Sequence, residues 1–437
     1  MPYGTVQRCD PETGVGRITP DDGTADLPFR ADAGSEEAGR FTEGRRVAYL
    51  LGQGPSGPQA EELHVLEAQE QVPEPALVGA VGGEPSPAPT RGDGGGSRPA
   101  RRGSDYAELS REVKAAGLLN RRPLSYAVRI GLTLLLLAAG WGAFVLIGAS
   151  WWQMLTAAFL GVVFTQTAFI GHDAGHQQIS SSKRVNDFIG RLHGNLLVGL
   201  SYGWWNSKHN RHHAHPNEVD RDPDIAGNAI AFTEEQTRAR TGVGVWVARS
   251  QAWLFFPMLL LEGINLHVAS VRALFGGSTA ARGAKLTEAG LLLTHLVGYL
   301  AAVFLVLSPL QAVAFIAVHQ GVFGLYMGCS FAPNHKGMPI FAKGEKVDFL
   351  RRQVLTSRNI RGGRLTDVAL GGLNYQVEHH LFPSMPRPSL PRVQPLVRDF
   401  CARHGIDYYE TSLVDSYVQV LRHLHTVGGS LRPELEY

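Results

Sequence analysis

Three five-residue clusters have the residue types and spacing to do metal chemistry: His172-Asp173-Ala174-Gly175-His176, His209-Asn210-Arg211-His212-His213 and Gln376-Val377-Glu378-His379-His380. Seven of the 17 histidines fall inside them, a concentration that scattered surface histidines do not produce. On a helix, residues three and four apart share a face, so each cluster aims two or three imidazoles at one place. Neutral imidazole is a good ligand for iron, zinc and copper. Three converging clusters can therefore fill two metal coordination spheres. The three cysteines, Cys9, Cys329 and Cys401, are too few and too dispersed for a thiolate site or a disulfide framework.

The elements that must position these clusters are apolar. Four runs, residues 130–149, 154–170, 289–307 and 310–328, approach the roughly 20 helical residues that cross a bilayer. The first pair is joined by Ser150-Trp151-Trp152-Gln153 and the second by Ser308-Pro309, both uncharged. Basic residues sit at the opposite ends: Arg121, Arg122 and Arg129 before the first run, Lys183, Arg184 and Arg191 after the second. The positive-inside tendency then puts the N-terminus, the middle region and the C-terminus in the cytoplasm. The first two clusters follow the second run and the third follows the fourth, so all three share one face. Residues 243–271 are apolar but broken by Arg249, Pro257, Glu262 and His267, and read as an interfacial or re-entrant helix. A fifth crossing there would move the third cluster to the wrong side.

Together with segments around them, the clusters resemble those of the membrane fatty acid desaturase superfamily. The resemblance covers about residues 105–430 and includes Trp204-Trp205-Asn206-Ser207-Lys208, Asp222-Pro223-Asp224, Asn334-His335, Gly372-Leu373-Asn374-Tyr375 and Leu381-Phe382-Pro383. Gln376, where many members have histidine, is similar to the front-end acyl desaturases and their bacterial relatives. The resemblance implies two irons held by His172, His176, His209, His212, His213, His335, His379 and His380, with Gln376 a weak ligand or none. It also implies O2 as co-substrate and a fatty acyl-CoA or acyl-lipid as substrate. Removing hydrogen from an unactivated methylene is beyond any side-chain acid or base, so a cofactor must do it. The substrate supplies two electrons and a separate donor two more, with water as product. No His-Pro-Gly-Gly haem motif occurs and neither haem nor flavin is expected. The donor is then a ferredoxin or a cytochrome b5-like protein with an NAD(P)H reductase.

Among the other polar residues, Asp173 and Glu378 are expected to orient imidazole N–H groups rather than bind metal. Asp220, Asp222 and Asp224 are open to both roles or to a solvated loop, with Asp224 the preferred partner for an imidazole. His193 and His215 are expected to hydrogen-bond near the clusters, His295 and His319 to bond between helices. His267, His423 and His425 are read as ordinary histidines.

The N-terminal segment differs in kind. The formal net charge is +2, but residues 1–70 carry −7 and the remainder +9. Residues 1–30 contain no apolar core of a signal peptide. Tyr3-Gly4-Thr5-Val6, Gly14-Val15-Gly16-Arg17-Ile18-Thr19-Pro20, Gly44 and Gly57-Pro58-Gln59-Ala60 resemble a cold-shock domain, a small OB-type β-barrel. Such barrels stack bases on aromatics above a basic groove. Here Arg8, Val15, Arg17 and Pro28 take the stacking positions on an acidic segment, so nucleic-acid binding is not expected and protein docking or a structural role is. Residues 71–104, rich in Pro and Gly, read as a disordered linker.

The expected architecture is an all-α integral membrane protein over residues 105–437, with four transmembrane helices and a cytoplasmic di-metal site, preceded by a barrel over residues 1–70. The expected activity is oxygen-dependent acyl desaturation in a bacterial plasma membrane. The alternatives are a hydroxylase or ketolase of the same superfamily and a non-catalytic membrane scaffold or sensor.

Overall fold

The computed structural model describes residues 3–10, 13–20, 26–30, 41–43, 45–54, 57–65, 104–226, 229–276 and 282–431. Two compact units divide the chain, Met1–Ser110 and Arg111–Tyr437. All but one residue of the expected linker, 71–104, lies outside the described residues.

Among the described residues the first unit holds five strands: β1 (Tyr3–Cys9), β2 (Val15–Pro20), β3 (Leu27–Arg30), β4 (Arg46–Gly54) and β5 (Gly57–Val65). Antiparallel pairs β1–β2, β2–β3, β1–β4 and β4–β5, with a parallel β3–β5 contact, close the ring β1-β2-β3-β5-β4. Period-two alternation sends Val6, Ile18, Leu27, Phe29, Val47 and Tyr49 into one core. Arg8, Val15, Arg17 and Pro28 fall on the exposed phase of the same strands.

The second unit is helical. After α1 (Asp105–Ala115), which begins at the end of the first unit, come α2 (Pro123–Ile147), α3 (Gln153–Gly175), α4 (Lys183–Arg191), a π-helical segment Leu192–Val198 and α5 (Tyr202–Ala214). Then follow α6 (Glu234–Arg238), α7 (Val243–Leu259), α8 (Glu262–Phe275), α9 (Arg282–Val306) and α10 (Pro309–His335). The C-terminal part contains α11 (Phe349–Leu355), a two-residue strand β6 (Asn359–Ile360), α12 (Arg364–Ala369), α13 (Gln376–Leu381) and α14 (Leu390–Arg403). The last elements are β7 (Glu410–Thr411), parallel to β6, and α15 (Leu413–Gly429).

Among the described residues, α2, α3, α9 and α10 are each long and apolar enough to cross a bilayer. The apolar runs understate them. Pro123, with φ preset for a first helical turn, starts α2 before the apolar run begins, and α3 and α10 run on past theirs to Gly175 and His335. Those extensions carry α3 into the first histidine cluster and α10 to His335. Leu137, Phe144, Leu160, Phe164, Val303 and Phe315 form the core between these helices. Gly161 lets α3 and α10 approach closely, because a Cβ there would lie 2.9 Å from the His319 carbonyl oxygen. The apolar stretch at 243–271 is two helices, α7 and α8, bent by 82° at a short break.

Candidate metal centre

Each cluster reaches the site from a different kind of element. His172 lies on the last turn of α3 and His176 caps its C-terminus. The second cluster ends α5, whose N-cap, Ser201, accepts from Trp204 N at 3.2 Å. The third is the six-residue helix α13. Gly175 permits α5 to lie against the end of α3, since a Cβ there would sit 2.3 Å from Asn206 Oδ1.

All eight expected histidines are buried and brought together. Their ligand atoms fall into two groups, His172, His176, His209 and His379 in one and His212, His335 and His380 in the other. His213 stands between the groups: its Nε2 lies 3.1 Å from His209 Nε2, while its ring stacks on His380 with centroids 4.1 Å apart. His212 Nε2 lies 3.3 Å from His335 Nε2. Two nitrogens each about 2.1 Å from one ion are roughly 3.0–3.4 Å apart when their bonds meet at a right angle or somewhat more.

The donor set fits metal on a second ground. The Nε2 atoms of His172, His176, His379 and His380 are buried with no hydrogen-bond partner among the described residues. Orphaned buried polar atoms are rare because each costs about 1–3 kcal/mol. Three of these four belong to the first group and His380 to the second, where they make sense as ligands. Burial first, and neighbouring imidazoles second, hold His176, His209, His213, His379 and His380 well below the ordinary histidine pKa, in the neutral form that binds metal. His212 moves the other way: burial pushes it down, but Asp222 and Asp224 together outweigh that and raise it.

Acceptors outside the groups fix several tautomers. His212 Nδ1 lies 3.0 Å from Asp222, His335 Nδ1 donates to the Thr356 carbonyl at 2.9 Å, and His380 Nδ1 donates to Gln353 Oε1 at 2.8 Å. His172 Nδ1 lies 3.3 Å from Asp173 Oδ1, whose second oxygen pairs with buried Arg387 at 2.6 Å. Each arrangement leaves Nε2 facing inward.

Some expected partners sit elsewhere. Asp222, not the preferred Asp224, is the close neighbour of His212; Asp224 pairs with Lys208 and stands 3.6 Å from His212 Nδ1. The loop sets this order, since Asn217 N and Asp224 N both donate to Asp222. Glu378 faces away from the imidazoles and accepts from Asn359 Nδ2 at 2.7 Å and Tyr408 OH at 2.6 Å. Its burial pushes it up to about 7, against the pull of those bonds. His193 enters neither group and donates Nδ1 to the Ile189 carbonyl at 2.9 Å. Gln376 accepts from Asn334 at 3.1 Å and turns its Nε2 to His335 Nε2 at 2.8 Å. An amide nitrogen has no lone pair to offer a metal, so Gln376 in this arrangement stands beside the ligand atom of His335 without ligating. His215 pairs with Glu218, and His319 bonds Tyr299 of α9.

Beside the groups lies a cavity of about 740 Å³. His172, His209, His212 and His335 line it together with apolar groups such as Phe169, Leu259, Met327 and Phe331. This is the size and lining of a small-molecule site.

A model of the fatty acid desaturase family matches residues 149–412, a stretch that contains all eight histidines. The chain belongs to that family. Among its relatives, a Delta(8)-fatty-acid desaturase of Borago officinalis is 30% identical over 345 residues, covering 75% of this chain and 76% of that protein. A Delta(5) fatty acid desaturase of Caenorhabditis elegans is 30% identical over 364 residues, with 77% of each covered. An acyl-lipid (9-3)-desaturase of Physcomitrium patens is 29% identical over 295 residues; the match spans 63% of this chain and about half, 53%, of that protein. The chain is thus an oxidoreductase of the desaturase family, a family that generally holds two irons and acts on lipid or acyl substrates with an electron donor.

Proposed function

We propose that the protein is an oxygen-dependent fatty acyl desaturase that introduces a cis double bond into an acyl chain of a CoA thioester or a lipid. The observation that carries this is the pairing of two buried imidazole groups with one cavity whose lining is mainly apolar, with Lys208, Asp224, Glu262, Arg272 and Lys336 also on its wall. His172, His176, His209, His213 and His379 would hold one iron, and His212, His335 and His380 the other. Bound there, iron supplies the O2-reducing chemistry that an unactivated methylene requires. The chain's own residues do the rest. Phe169, Leu259, Met327 and Phe331 seat the methylenes and exclude water, while Asp222, Asp173, Thr356 and Gln353 hold the imidazoles in one tautomer. The electrons come from a separate ferredoxin or cytochrome b5-like donor.

In this reading α2, α3, α9 and α10 cross the bilayer, with the N-terminus, the histidine groups and the C-terminus on the cytoplasmic side of a bacterial plasma membrane. The bent pair α7–α8 lies in the interface. Its charge interruptions and the outward Trp246 and Trp253 support that placement. Residues 1–70 form a cold-shock-like barrel on a linker of residues 71–104. The acidic barrel assists docking or regulation and does not bind nucleic acid, because it carries net negative charge and lacks aromatics at the stacking positions.

Expression in a host followed by gas chromatography–mass spectrometry of its fatty acids, with iron counted on the purified chain, tests the activity. A new unsaturated product and about two irons per chain are expected; an active preparation without iron overturns the reading. Deleting residues 1–104 should leave product and iron unchanged, whereas tight, salt-sensitive RNA binding by the full chain would refute the role given to the barrel.

A further inference from the structure

The strip of residues 353–359 contains no histidine, yet it hydrogen-bonds two of the three members of the second histidine group, His335 and His380. Gln353, Thr356, Ser357 and Arg358 are fully buried and Asn359 nearly so. Arg358 donates to carbonyls of Pro333 and Lys336 at the end of α10, the turn that delivers His335. Asn359 accepts from Val377 N at 2.9 Å and so fixes the start of α13. Gln353, on the last turn of α11, makes the decisive contacts: its Nε2 donates to the His213 carbonyl at 2.9 Å, and its Oε1 accepts from His380 Nδ1 at 2.8 Å.

The chemistry of that amide admits one arrangement. A carbonyl can only accept, so the His213 carbonyl takes the Gln353 NH2 and leaves the amide oxygen toward His380. An amide oxygen can also only accept, so His380 must carry its proton on Nδ1. Its Nε2, which has no hydrogen-bond partner among the described residues, then keeps its lone pair. The Thr356 carbonyl commits His335 in the same way. We infer that Gln353 is a positioning residue that sets the tautomer and direction of His380 and ties it to the second cluster. Metal binding at the His212, His335 and His380 group therefore depends on a residue outside all three clusters. The inference rests on the two-iron reading above.

The test uses the full-length purified chain as wild type, Gln353→Met and Gln353→Glu. Iron per chain is counted, and cobalt(II) is titrated in by its visible absorption. Gln353→Met keeps the volume and loses both hydrogen bonds; it should retain about one metal and bind the other some 10–100-fold more weakly, the usual cost of losing a partner behind a ligand. Gln353→Glu, protonated in this buried position, keeps the acceptor facing His380 and offers an O–H to the His213 carbonyl; it should recover the second metal at near wild-type affinity, which a purely structural role would not produce. The retained metal in Gln353→Met reports that the fold survives. Two metals at wild-type affinity in Gln353→Met would overturn the inference while leaving the two-iron reading standing, and so would a folded Gln353→Glu that binds like Gln353→Met. A wild-type chain that takes up no metal would overturn both.

Discussion

Helices α2 and α9 and helices α3 and α10 meet the same test of length and apolarity, yet they are built for different surroundings. In α2 and α9 only 22% of the most apolar window is buried, and Leu135, Val145, Leu146, Leu293 and Leu305 face outward. In α3 and α10 the buried shares are 61% and 39%, and the sequence admits Thr165, Thr167, His319 and Gln320 into the packed face. The outer pair is a hydrophobic wall. The inner pair is a pair of struts, each extended past its apolar run to end in a histidine of the site. The lesson is that mean hydropathy picks out all four helices alike, whereas the buried share of the apolar window separates the pairs; polar content does not, since α9 also buries Glu288 and His295.

Substitutions on the two pairs should therefore differ in kind, and four outcomes sharpen the contrast. The largest effect belongs to the end of a strut. His335→Ala should lower desaturation by more than about 100-fold, the upper cost of losing even an indirect partner of a metal, with insertion unchanged; gas chromatography of products and a membrane-fraction assay read the two. Next, Leu135→Lys on the outward face of α2 should cost about 2.5–3.5 kcal/mol of insertion, read as a drop in the membrane-integrated fraction. Unchanged integration would show that α2 does not face lipid. Third, Gly161→Leu should wedge α3 from α10 and cost roughly 1–3 kcal/mol, visible as a lower thermal midpoint in detergent and reduced iron content. Smallest, Leu146→Ala on the wall should stay within about 0.5 kcal/mol by the same thermal measurement. A loss at Leu146 as large as that at Gly161 would break the distinction.

The parts of the site that sequence made legible are those with local periodicity. His172 and His176, and His209, His212 and His213, have helical spacing that stands out without any knowledge of the fold. His335 entered only through a family resemblance, because a single histidine after an apolar run has no pattern of its own. Asp222 was visible as one of three nearby aspartates, but which of them meets His212 depends on how the loop folds back through Asn217. Glu378 misled for the opposite reason. A carboxylate next to two ligands in sequence projects from another face of α13 and finds Tyr408, thirty residues away, instead.

The sequence alone determined what could be chosen residue by residue: four apolar runs, three imidazole clusters, an acidic N-terminal segment with strand alternation, and the family to which the chain belongs. Only the tertiary structure decided how the imidazoles divide into two groups, which carboxylate or amide stands behind each, and that a cavity opens beside them. The physical reason is range. Helical faces and hydrophobic runs follow from neighbours a few positions apart, while a hydrogen bond between Gln353 and His380, or an ion pair between Arg387 and Asp173, joins elements whose separation in sequence leaves no periodic trace.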